Sequence, residues 1–236
     1  MFKPNILIPM AGAGKRFAEA GYALPKPLID INGKPMIQRV VESLNIDGNY
    51  IFLVQKEHFE HYHIYDTLEK FCINSIIVTV DGITEGAACT ALLAKKYINY
   101  NTPLIIANSD QLVYWNSSQF LAYANNYDGC IPTFYSQDPK WSYAKLYNGF
   151  ICEVAEKKPI SEHATVGIYF FKQGKWFVKA AEQMIESNTR TNNEFYICPV
   201  YNEMVANNMK MTIYPVRKMV GLGTPEDLEK NKCMCL

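Results

Sequence analysis

Two cations follow a loop of small residues near the start of the chain. Residues 6–17 have the sequence ILIPMAGAGKRF, and Lys26 lies a few positions later between Pro25 and Pro27. Backbone N–H groups in a loop of alanine and glycine can approach a polyphosphate closely, while Arg16 and Lys26 supply positive charge. The flanking prolines restrict the backbone on both sides of Lys26, so we expect this side chain to point in a defined direction. The pattern predicts a phosphate-binding site directly after a strand.

Two better-known phosphate motifs do not fit this loop. The dinucleotide fingerprint needs a third glycine at the opening of a helix, but Arg16 and Phe17 stand where that pattern would continue. The P-loop needs Ser or Thr directly after Gly-Lys as a magnesium ligand, and Gly14-Lys15 is followed by Arg16. An ordinary strand-to-turn connection would explain the glycines alone, whereas the nearby Arg16 and Lys26 favour an anion site.

An aspartate follows a second apolar run. Residues 104–107 (LIIA) lead into Asn108, Ser109 and Asp110. A carboxylate at the end of a buried strand can bind a magnesium ion held between phosphates, although an Asp in this position also serves as a turn or helix-cap residue. Because ligands bind at the carboxyl ends of parallel strands, we expect the glycine loop and Asp110 to share one site.

The first half of the chain alternates short apolar runs with helical patterns. This alternation predicts βαβ units with right-handed crossovers and a parallel sheet. The predicted strands are 5–9, 50–54, 75–80 and 104–107, and the predicted helices are 35–44, 58–71 and 87–97.

The second half is richer in strands. Asn148-Gly149 predicts a tight hairpin turn, and Thr224 followed by Pro225 predicts the start of a last helix. The predicted strands are 129–135, 142–147, 150–156, 165–171 and 210–216, and the predicted helices are 175–187 and 194–206. These elements predict an α/β fold, a single-domain Rossmann-like mixed sheet flanked by helices.

The composition of the chain argues against a nucleic-acid-binding, membrane-bound or disordered protein. The 236 residues carry 23 Lys+Arg and 23 Asp+Glu, so the formal net charge is zero, which does not favour binding to nucleic acid or to a membrane surface. Hydrophobic residues make up 49% of the chain, which is enough for a packed core and argues against disorder. We find no secretory leader pattern and no apolar stretch that could span a bilayer, so we expect a soluble cytoplasmic protein.

Cysteine and histidine do not form a metal-site pattern. The 7 cysteines are scattered, and most lie in apolar runs where a reduced thiol acts as a small hydrophobic side chain. Cys233 and Cys235 have no second pair that would complete a zinc site. His58, His61 and His63 lack the spacing of a helical zinc site, so a solvated amphipathic helix is the better prediction.

Further motifs follow the loop in order along nearly the whole chain. They are 85–88 (EGAA), 106–110 (IANSD), 155–159 (AEKKP), 165–169 (TVGIY) and 221–227 (GLGTPED). With Arg16 and the PKPL segment, this ordered set resembles the sugar-nucleotide pyrophosphorylases, a nucleotidyltransferase family that includes thymidylyltransferases acting on glucose 1-phosphate and cytidylyltransferases. The resemblance implies the nucleotide-diphospho-sugar transferase fold in one domain, 1–236, with 1–110 mainly binding the nucleotide and 111–236 mainly binding the acceptor.

The resemblance also implies roles for residues in these motifs. The three candidate catalytic residues are Arg16 for the leaving β- and γ-phosphates, Lys26 for the α-phosphate and the attacking group, and Asp110 for a Mg²⁺ ion. The candidate nucleotide-binding residues are Met10, Ala11, Gly12, Ala13, Gly14, Lys15, Arg16, Asp81, Gly86 and Ala87. The candidate acceptor-binding residues are Asn108, Tyr143, Glu156, Lys157, Gly167 and Glu194, and Trp141 and Ser142 are expected to shape the same pocket. Aromatic packing explains the segment 141–144 almost as well, and an acid at the start of a helix is a nearly equal alternative for Glu194. A surface hairpin is the less favoured alternative for Glu156 and Lys157.

One position departs from the family pattern near the C-terminus. Gly221 stands where the family has a second metal-binding aspartate in an Asp-x-Gly-Thr segment. Either one protein ligand suffices for the metal, or Glu226, Asp227 or Glu194 compensates.

Asp81 bears on the choice of base. It stands where relatives that use thymidine or uridine nucleotides carry a glutamine that binds the base. A carboxylate only accepts hydrogen bonds, so it suits the amino group of cytosine, or the N–H edge of guanine, better than thymine or uracil. Ala11 and Ala13 also resemble cytidylyltransferase loops, and the sequence therefore predicts a preference for CTP.

These residues predict a Mg²⁺-dependent nucleotidyltransferase that joins an NTP to a phosphorylated sugar or a similar small phosphomonoester and releases pyrophosphate. The resemblance implies a role in making precursors of capsule or other surface glycans, and it allows a homo-oligomer. Two alternatives stay open. A glycosyltransferase of related fold would place an Asp-x-Asp motif after the central strand, where Ser109-Asp110-Gln111 has one acid. A non-catalytic sensor would bind the nucleotide without releasing pyrophosphate.

Overall fold

A strand buried on both faces lies at the centre of the molecule. The computed structural model describes residues 3–234, and its first strand, β1 (Asn5–Pro9), has a parallel neighbour on each side. Ile6, Leu7 and Ile8 are 0% exposed. Burial of both faces explains why the sequence has a continuous apolar run here instead of an alternating pattern.

Most of the strands form one mixed sheet. The strands after β1 are β2 (Asp30–Ile31), β3 (Lys34–Pro35), β4 (Asn49–Gln55), β5 (Ile76–Val80), β6 (Leu104–Ala107), β7 (Gln111–Tyr114), β8 (Gly129–Tyr135), β9 (Tyr143–Tyr147), β10 (Phe150–Ala155), β11 (His163–Thr165), β12 (Ile168–Phe171), β13 (Met211–Pro215) and β14 (Lys218–Gly221). The sheet order is β10-β9-β11-β8-β12-β6-β1-β4-β5, with β13 paired to β8. β6, β1, β4 and β5 are parallel to one another, while β12 runs antiparallel to β6. β7 pairs with β14 and β2 with β3 in two small sheets.

Helices connect and cover these strands. They are α1 (Lys15–Glu19), α2 (Met36–Leu44), α3 (Lys56–His61), α4 (Ile64–Glu69), α5 (Ala87–Leu92), α6 (Lys95–Ile98), α7 (Ser117–Ala124), α8 (Gly174–Glu186), α9 (Val200–Ala206) and α10 (Pro225–Asn231), with short 3-10 turns at Lys26–Leu28 and Lys232–Met234. Along β1, Ile6 and Ile8 join one apolar cluster with Phe120, and Leu7 joins another with Phe177. Successive residues of a strand point to opposite faces, so one short run of sequence supplies both cores.

The predicted α/β fold class is confirmed. The strands predicted at 5–9 and 104–107 have the bounds observed for β1 and β6. β9 and β10 form an antiparallel hairpin that turns at Asn148 and Gly149, as predicted. Thr224 caps α10 by accepting a hydrogen bond from a backbone N–H three residues later, at 3.1 Å.

Two predicted elements are broken by residues with positive φ. The predicted helix 58–71 is wrong as one element, because His63 has φ +48° and separates α3 from α4. The predicted strand 165–171 is likewise divided between β11 and β12, since Gly167 has φ +70°. Hydrophobic spacing does not report such a local change of backbone direction.

Other predicted elements also differ in the structure. The predicted helix 87–97 is divided into α5 and α6. The helix predicted at 194–206 begins only at Val200, because backbone groups of Phe195 bond to the segment around Glu85 instead. The sequence analysis does not predict β7, α7 or β14. β7 and β14 pair with each other although about half of the chain separates them.

The described cysteines are free thiols, and Cys235 lies outside the described residues. α3, which carries His58 and His61, has no buried residue. Within residues 3–234 no group of three or more His, Cys, Asp or Glu side chains is placed to hold a metal ion. No helix described in the same range has the length and apolar character needed to cross a membrane.

Phe120→Ala is expected to lower the free energy of unfolding by about 3–5 kcal/mol. The ring is 0% exposed and lies 4.6 Å from the ring of Trp115, 5.4 Å from Tyr214 and 6.1 Å from Phe170, centroid to centroid, so truncation leaves a cavity in the core. Urea unfolding monitored by circular dichroism measures the loss. Phe59→Ala, at a side chain that is 37% exposed, is the matched control, and an equal loss in both variants would contradict the packing role of Phe120.

Candidate active site

The glycine loop after β1 is fixed to the neighbouring strand. The Gln55 amide at the end of β4 donates a hydrogen bond to the Ala11 carbonyl at 2.9 Å. On the other side of the loop α1 begins, and Phe17 is the residue of α1 that is buried. Hydrogen bonds to β4, which also include one from the Met10 N–H to the Leu53 carbonyl, and the buried Phe17 ring hold the loop at the carboxyl end of the central strand, with Lys15 and Arg16 in the first turn of α1.

Lys26 reaches the end of the next parallel strand. It opens a 3-10 turn after Pro25, and its ammonium contacts the carboxylate of Asp110 and lies 5.5 Å from the ring centroid of Phe17. The side chains of Lys26 and Asp110 are only 19% and 22% exposed. The structure thus brings together the glycine loop and the strand-end aspartate, which the sequence placed in one site, and adds the Pro-Lys-Pro lysine to them.

Three adjoining cavities surround this meeting point, with volumes of about 430, 310 and 330 Å³. The first, the loop cavity, is lined by Ala11, Gly12, Ala13, Gly86, Ala87 and Glu194, among others. The second, the cation cavity, is lined by residues that include Met10, Gly14, Lys15, Arg16, Lys26 and Ser109. The third, the polar cavity, is lined by residues that include Asn108, Asp110, Trp141, Glu156, Lys157 and Gly167. Gly12 and Lys15 border both the loop and cation cavities, and Arg16 and Lys26 border both the cation and polar cavities.

A backbone contact joins the two segments that carry Gly86 and Glu194 of the loop cavity. The Phe195 N–H donates to the Glu85 carbonyl at 2.9 Å, and a Cβ on Gly86, whose φ is +138°, would come within 2.4 Å of the Phe195 backbone. Arg190 donates to the Glu85 carboxylate at 2.5 Å, and its guanidinium lies 4.0 Å from the Phe195 ring centroid. These contacts place Glu194 at the loop cavity, although the sequence assigned it to the acceptor side.

A partly buried carboxylate forms part of the polar cavity. Glu156 follows β10, and its carboxylate accepts a hydrogen bond from the Ser142 hydroxyl. Burial raises the pKa of Glu156 above its ordinary value, against the opposing effects of the Ser142 hydrogen bond and the Lys157 charge. The Lys157 ammonium does not pair with Glu156 but donates to the Tyr196 hydroxyl at 2.7 Å. The Glu156-Lys157 pair thus lies in the cavity with its two charges directed to different partners.

Two side chains of the polar cavity occupy the space that a side chain at position 167 would need. A Cβ at this position would lie 1.7 Å from the Gln111 amide oxygen and 2.5 Å from the Asn108 amide nitrogen. The Asn108 amide in turn donates to that Gln111 oxygen at 3.2 Å. The sequence predicted close approach of a ligand to Gly167, and in the structure Asn108 and Gln111 make that approach.

Two predicted residues are not brought to the cavities. Tyr143 is 0% exposed, and its hydroxyl donates to the Asp138 carbonyl at 2.7 Å, so the ring is part of the core. The Asp81 side chain is 86% exposed, and its nearest cation is the Lys56 ammonium at 3.7 Å. Its neighbours Ile83, Thr84 and Gly86 line the loop cavity, whereas Asp81 itself does not.

Trp141 occupies the side of Gly221 where a longer residue would extend. A Cβ at Gly221 would lie 3.0 Å from the indole ring of Trp141. Of the acids that were candidates to replace an aspartate at 221, Asp227 lines the polar cavity, whereas Glu226 is exposed and does not. The cavity therefore has an aromatic face in a place where the family pattern predicts a carboxylate.

Several lining residues of the polar cavity were missed by sequence reasoning. They are Gln111, Lys140, Thr165 and Tyr169. Gln111 directly follows Asp110, and Lys140 directly precedes Trp141, so adjacency to a predicted residue was the available signal. Thr165 and Tyr169 are 2% and 3% exposed, and they reach the cavity because the chain breaks direction at Gly167.

Solved structures share this fold over nearly the whole chain. The nucleoside-diphosphate-sugar pyrophosphorylase from Vibrio cholerae has a TM-score of 0.81 at 24% identity and matches 95% of this chain and 98% of its own. The inositol-1-phosphate CTP transferase from T. maritima has a TM-score of 0.78 at 15% identity and matches 100% of this chain and 96% of its own. These likenesses confirm the predicted nucleotide-diphospho-sugar transferase architecture.

Curated relatives match over shorter stretches. A 2-aminoethylphosphonate cytidylyltransferase from Lancefieldella rimae is 36% identical over 99 residues, which are 36% of this chain and 40% of that protein. A mannose-1-phosphate guanyltransferase from Yarrowia lipolytica is 34% identical over 113 residues, which are 44% of this chain and 30% of that protein. The match therefore spans less than half the length of either relative.

The family of this chain follows from a match over nearly its whole length. The family model described as nucleotidyl transferase matches residues 6–231, which include the glycine loop, Asp110, the Glu156-Lys157 pair and α10. This match confirms the family that the ordered motifs predicted. The chain belongs to the nucleotidyl transferase family.

Proposed function

We propose that this protein joins an NTP to a small phosphorylated acceptor and releases pyrophosphate. The observation that carries the proposal is the position of Arg16 and Lys26 on the wall shared by the cation and polar cavities. A base in the loop cavity, phosphates in the cation cavity and an acceptor in the polar cavity would bring the two reacting phosphorus groups together at these two side chains.

The reaction needs positioning and charge neutralisation more than proton transfer. An ionised acceptor oxygen attacks the α-phosphorus, a bond forms between them, and the bond from the α-phosphorus to the bridging oxygen of the β-phosphate breaks as pyrophosphate leaves. No general base is required because the attacking phosphate is already ionised. Arg16 would neutralise the departing β- and γ-phosphates, and Lys26 would stabilise charge on the α-phosphate and the attacking oxygen.

The residues near Asp110 fit a Mg²⁺ ion. Its carboxylate lines the polar cavity and contacts the Lys26 ammonium, and Asp227 lines the same cavity. Mg²⁺ keeps several waters and is bound through one or two carboxylates together with substrate phosphates, so a large protein ligand cluster is not needed. Asp110 would hold the ion, with Asp227 as the candidate second carboxylate. When bound, the ion would neutralise phosphate charge.

We propose CTP as the preferred nucleotide. The relative from Lancefieldella rimae is named as a cytidylyltransferase, which supports this choice. Glu194 replaces Asp81 as the proposed base-reading carboxylate, because Glu194 lines the loop cavity and Asp81 does not. Its oxygens can accept a hydrogen bond from the cytosine amino group, which uracil and thymine lack.

The acceptor is proposed to be a phosphorylated sugar or a comparable small phosphorus acid. One relative is named for mannose 1-phosphate, which is a phosphorylated sugar, and the other for 2-aminoethylphosphonate, which is a small phosphorus acid. We further propose that 1–236 acts as one domain in the cytoplasm, with the nucleotide bound mainly by 1–110, the acceptor mainly by 111–236, and the product used for capsule or surface glycans.

Lys26→Ala is expected to lower kcat/KM for pyrophosphate release by at least about 100-fold, because it removes a cation that neutralises the transition state. A coupled pyrophosphate assay with CTP, Mg²⁺ and a panel of phosphomonoesters measures it. Lys34→Ala, at a surface lysine whose side chain is 41% exposed, is the matched control. Comparable turnover by the Lys26 variant and the wild type would remove Lys26 from the mechanism.

Asp110→Asn is expected to abolish Mg²⁺-dependent turnover while the thermal melting temperature changes little. The amide keeps the size of the side chain but loses the charge that a hard cation needs. The assay is pyrophosphate release against Mg²⁺ concentration, with melting followed by circular dichroism. Near-native activity of a folded variant would overturn the metal assignment, and tight CTP binding by the wild type without acceptor-dependent release would favour the sensor alternative.

CTP is expected to exceed UTP and dTTP by at least about tenfold in kcat/KM, the discrimination that one well-placed hydrogen bond to a base provides. Glu194→Gln should reduce the ratio of CTP to UTP turnover, since the amide can also donate to the uracil carbonyl. Asp81→Asn should leave that ratio unchanged. A ratio that falls with Asp81→Asn but not with Glu194→Gln would restore the assignment made from the sequence.

A further inference from the structure

A tight turn carries Glu194 to the loop cavity. Thr191 and Glu194 exchange backbone hydrogen bonds at 3.1 and 2.9 Å, and between them Asn192 and Asn193 have φ +48° and +64°. Two successive residues with positive φ are the pattern of a type I′ turn, and asparagine tolerates this conformation better than most residues do. The turn therefore fixes the backbone of Glu194 relative to Thr191, but other contacts must fix the turn relative to the rest of the cavity.

The Arg190 side chain fastens this turn from outside the cavity. Its Nη1 donates to the Asn193 carbonyl at 3.2 Å and its Nε to the Asn188 side-chain oxygen at 2.6 Å. Its Nη2 donates to the Glu85 carboxylate at 2.5 Å, and the guanidinium lies 4.0 Å from the ring centroid of the buried Phe195. Each guanidinium nitrogen thus has an acceptor of its own. Arg190 is not among the residues that line the three cavities, so it acts on a ligand there through its neighbours.

The same guanidinium connects two distant segments of the loop cavity. Arg190 and Glu85 are 105 residues apart, and Glu85 directly precedes Gly86, which lines the cavity. On the other side, Arg190 holds the turn that ends in Glu194, a second lining residue. The backbone of Phe195 bonds to the Glu85 carbonyl at 2.9 Å and reinforces this connection. The position of the turn relative to the segment at Gly86 therefore depends on Arg190.

The ion pair of Arg190 is not placed to contribute much stability by its charges alone. The side chains of Arg190 and Glu85 are 29% and 66% exposed, and water and salt screen such a pair. Lys95 and Glu182 form a comparable pair, 2.5 Å apart in space and 87 residues apart in the chain, but neither of them lines the three cavities. The two pairs differ in what they hold in place, and only the pair of Arg190 holds a cavity segment.

We propose that Arg190 is a positioning residue for base selection, which holds the turn 191–194 so that the Glu194 carboxylate meets the amino group of the base. The inference rests on the proposed nucleotide site and names the residue that sets its selectivity. A glutamate side chain has several rotamers, and a hydrogen bond weakens steeply when its donor and acceptor are misaligned. Discrimination between cytosine and uracil therefore requires that the backbone carrying Glu194 be held in one place.

The test measures the affinities of CTP and UTP by titration calorimetry with Mg²⁺, beside pyrophosphate release. We expect Arg190→Gln to lower the ratio of CTP to UTP affinity by about tenfold, because a displaced Glu194 loses a charge-assisted hydrogen bond to the base. The kcat at saturating CTP should stay near the wild-type value, since Arg190 does not line the cavities proposed for the phosphates and the acceptor. Lys95→Gln, which breaks the comparable ion pair, is the matched control and should keep the wild-type ratio.

Further variants separate positioning from a general loosening of the fold. Because Arg190 acts through Glu194, adding Arg190→Gln to Glu194→Gln should not lower the affinity ratio below that of Glu194→Gln alone. Glu85→Gln weakens the same ion pair from its exposed partner, so it tests the inference even if Arg190→Gln folds poorly, and it should lower the ratio in the same direction. Arg190→Lys should recover only part of the ratio, because one ammonium does not reproduce the guanidinium fork.

The outcomes distinguish the inference from the proposed function. An unchanged affinity ratio in Arg190→Gln and Glu85→Gln, or a further fall in the double variant, overturns the inference and leaves nucleotidyl transfer standing. A wild-type protein that prefers CTP but releases no pyrophosphate with any acceptor contradicts the transfer, while the ratios of the variants still decide the inference. Equal binding of CTP and UTP by the wild type contradicts the inference and the CTP preference together, whether or not pyrophosphate is released.

Discussion

The contact between Lys26 and Asp110 is the interaction on which the site depends. It joins two segments 84 residues apart, and neither side chain is more than 22% exposed. The parallel pairing of β1 with β6, in which Leu7 lies opposite Ile106, brings the two strand ends to the same edge of the sheet. A hydrophobic core built from continuous apolar strands thus fixes the distance between charges that belong to separate loops. The charges cannot be arranged in this way unless the parallel core has formed.

Close backbone approach shapes the cavity walls around this pair. At Gly86 the backbone of Phe195 lies where a Cβ would be, and at Gly167 two side-chain amides do. In both places the chain reverses or breaks a regular element, and in both the contact joins segments from the two halves of the sequence. A side chain at either position would separate segments that together enclose a cavity. These glycines therefore act on the ligand sites through packing, without any requirement that a ligand touch them.

The sequence predicted the features that depend on local pattern or on strand ends. The glycine loop with Arg16 could be placed beside Asp110 because parallel strands end at one edge of a sheet, whereas Lys26 joined them through the family resemblance. β1 and β6 could be found because buried parallel strands are continuously apolar. Tyr143 could not be placed, since it lies at the start of β9 and its burial depends on pairing with Ala164. Glu194 could not be placed either, because its position depends on hydrogen bonds between Phe195 and Glu85. Asp81 matches the base-binding position of relatives by its place in the sequence, and that place does not determine which side of a loop faces a cavity.

The charge arrangement has a consequence for how a substrate must enter. Lys26 is paired with Asp110 and Lys140 with Asp227, so each of these cations already has an anionic partner inside the polar cavity. A phosphate that binds to Lys26 competes with Asp110 for it, and the carboxylate released from that pair then needs a cation of its own. If Mg²⁺ enters with the NTP, it supplies that cation, and the exchange leaves no buried charge unbalanced. A neutral chain with an internally paired site thus favours the metal–nucleotide complex over the free nucleotide, because only the complex brings both the anion for Lys26 and the cation for Asp110.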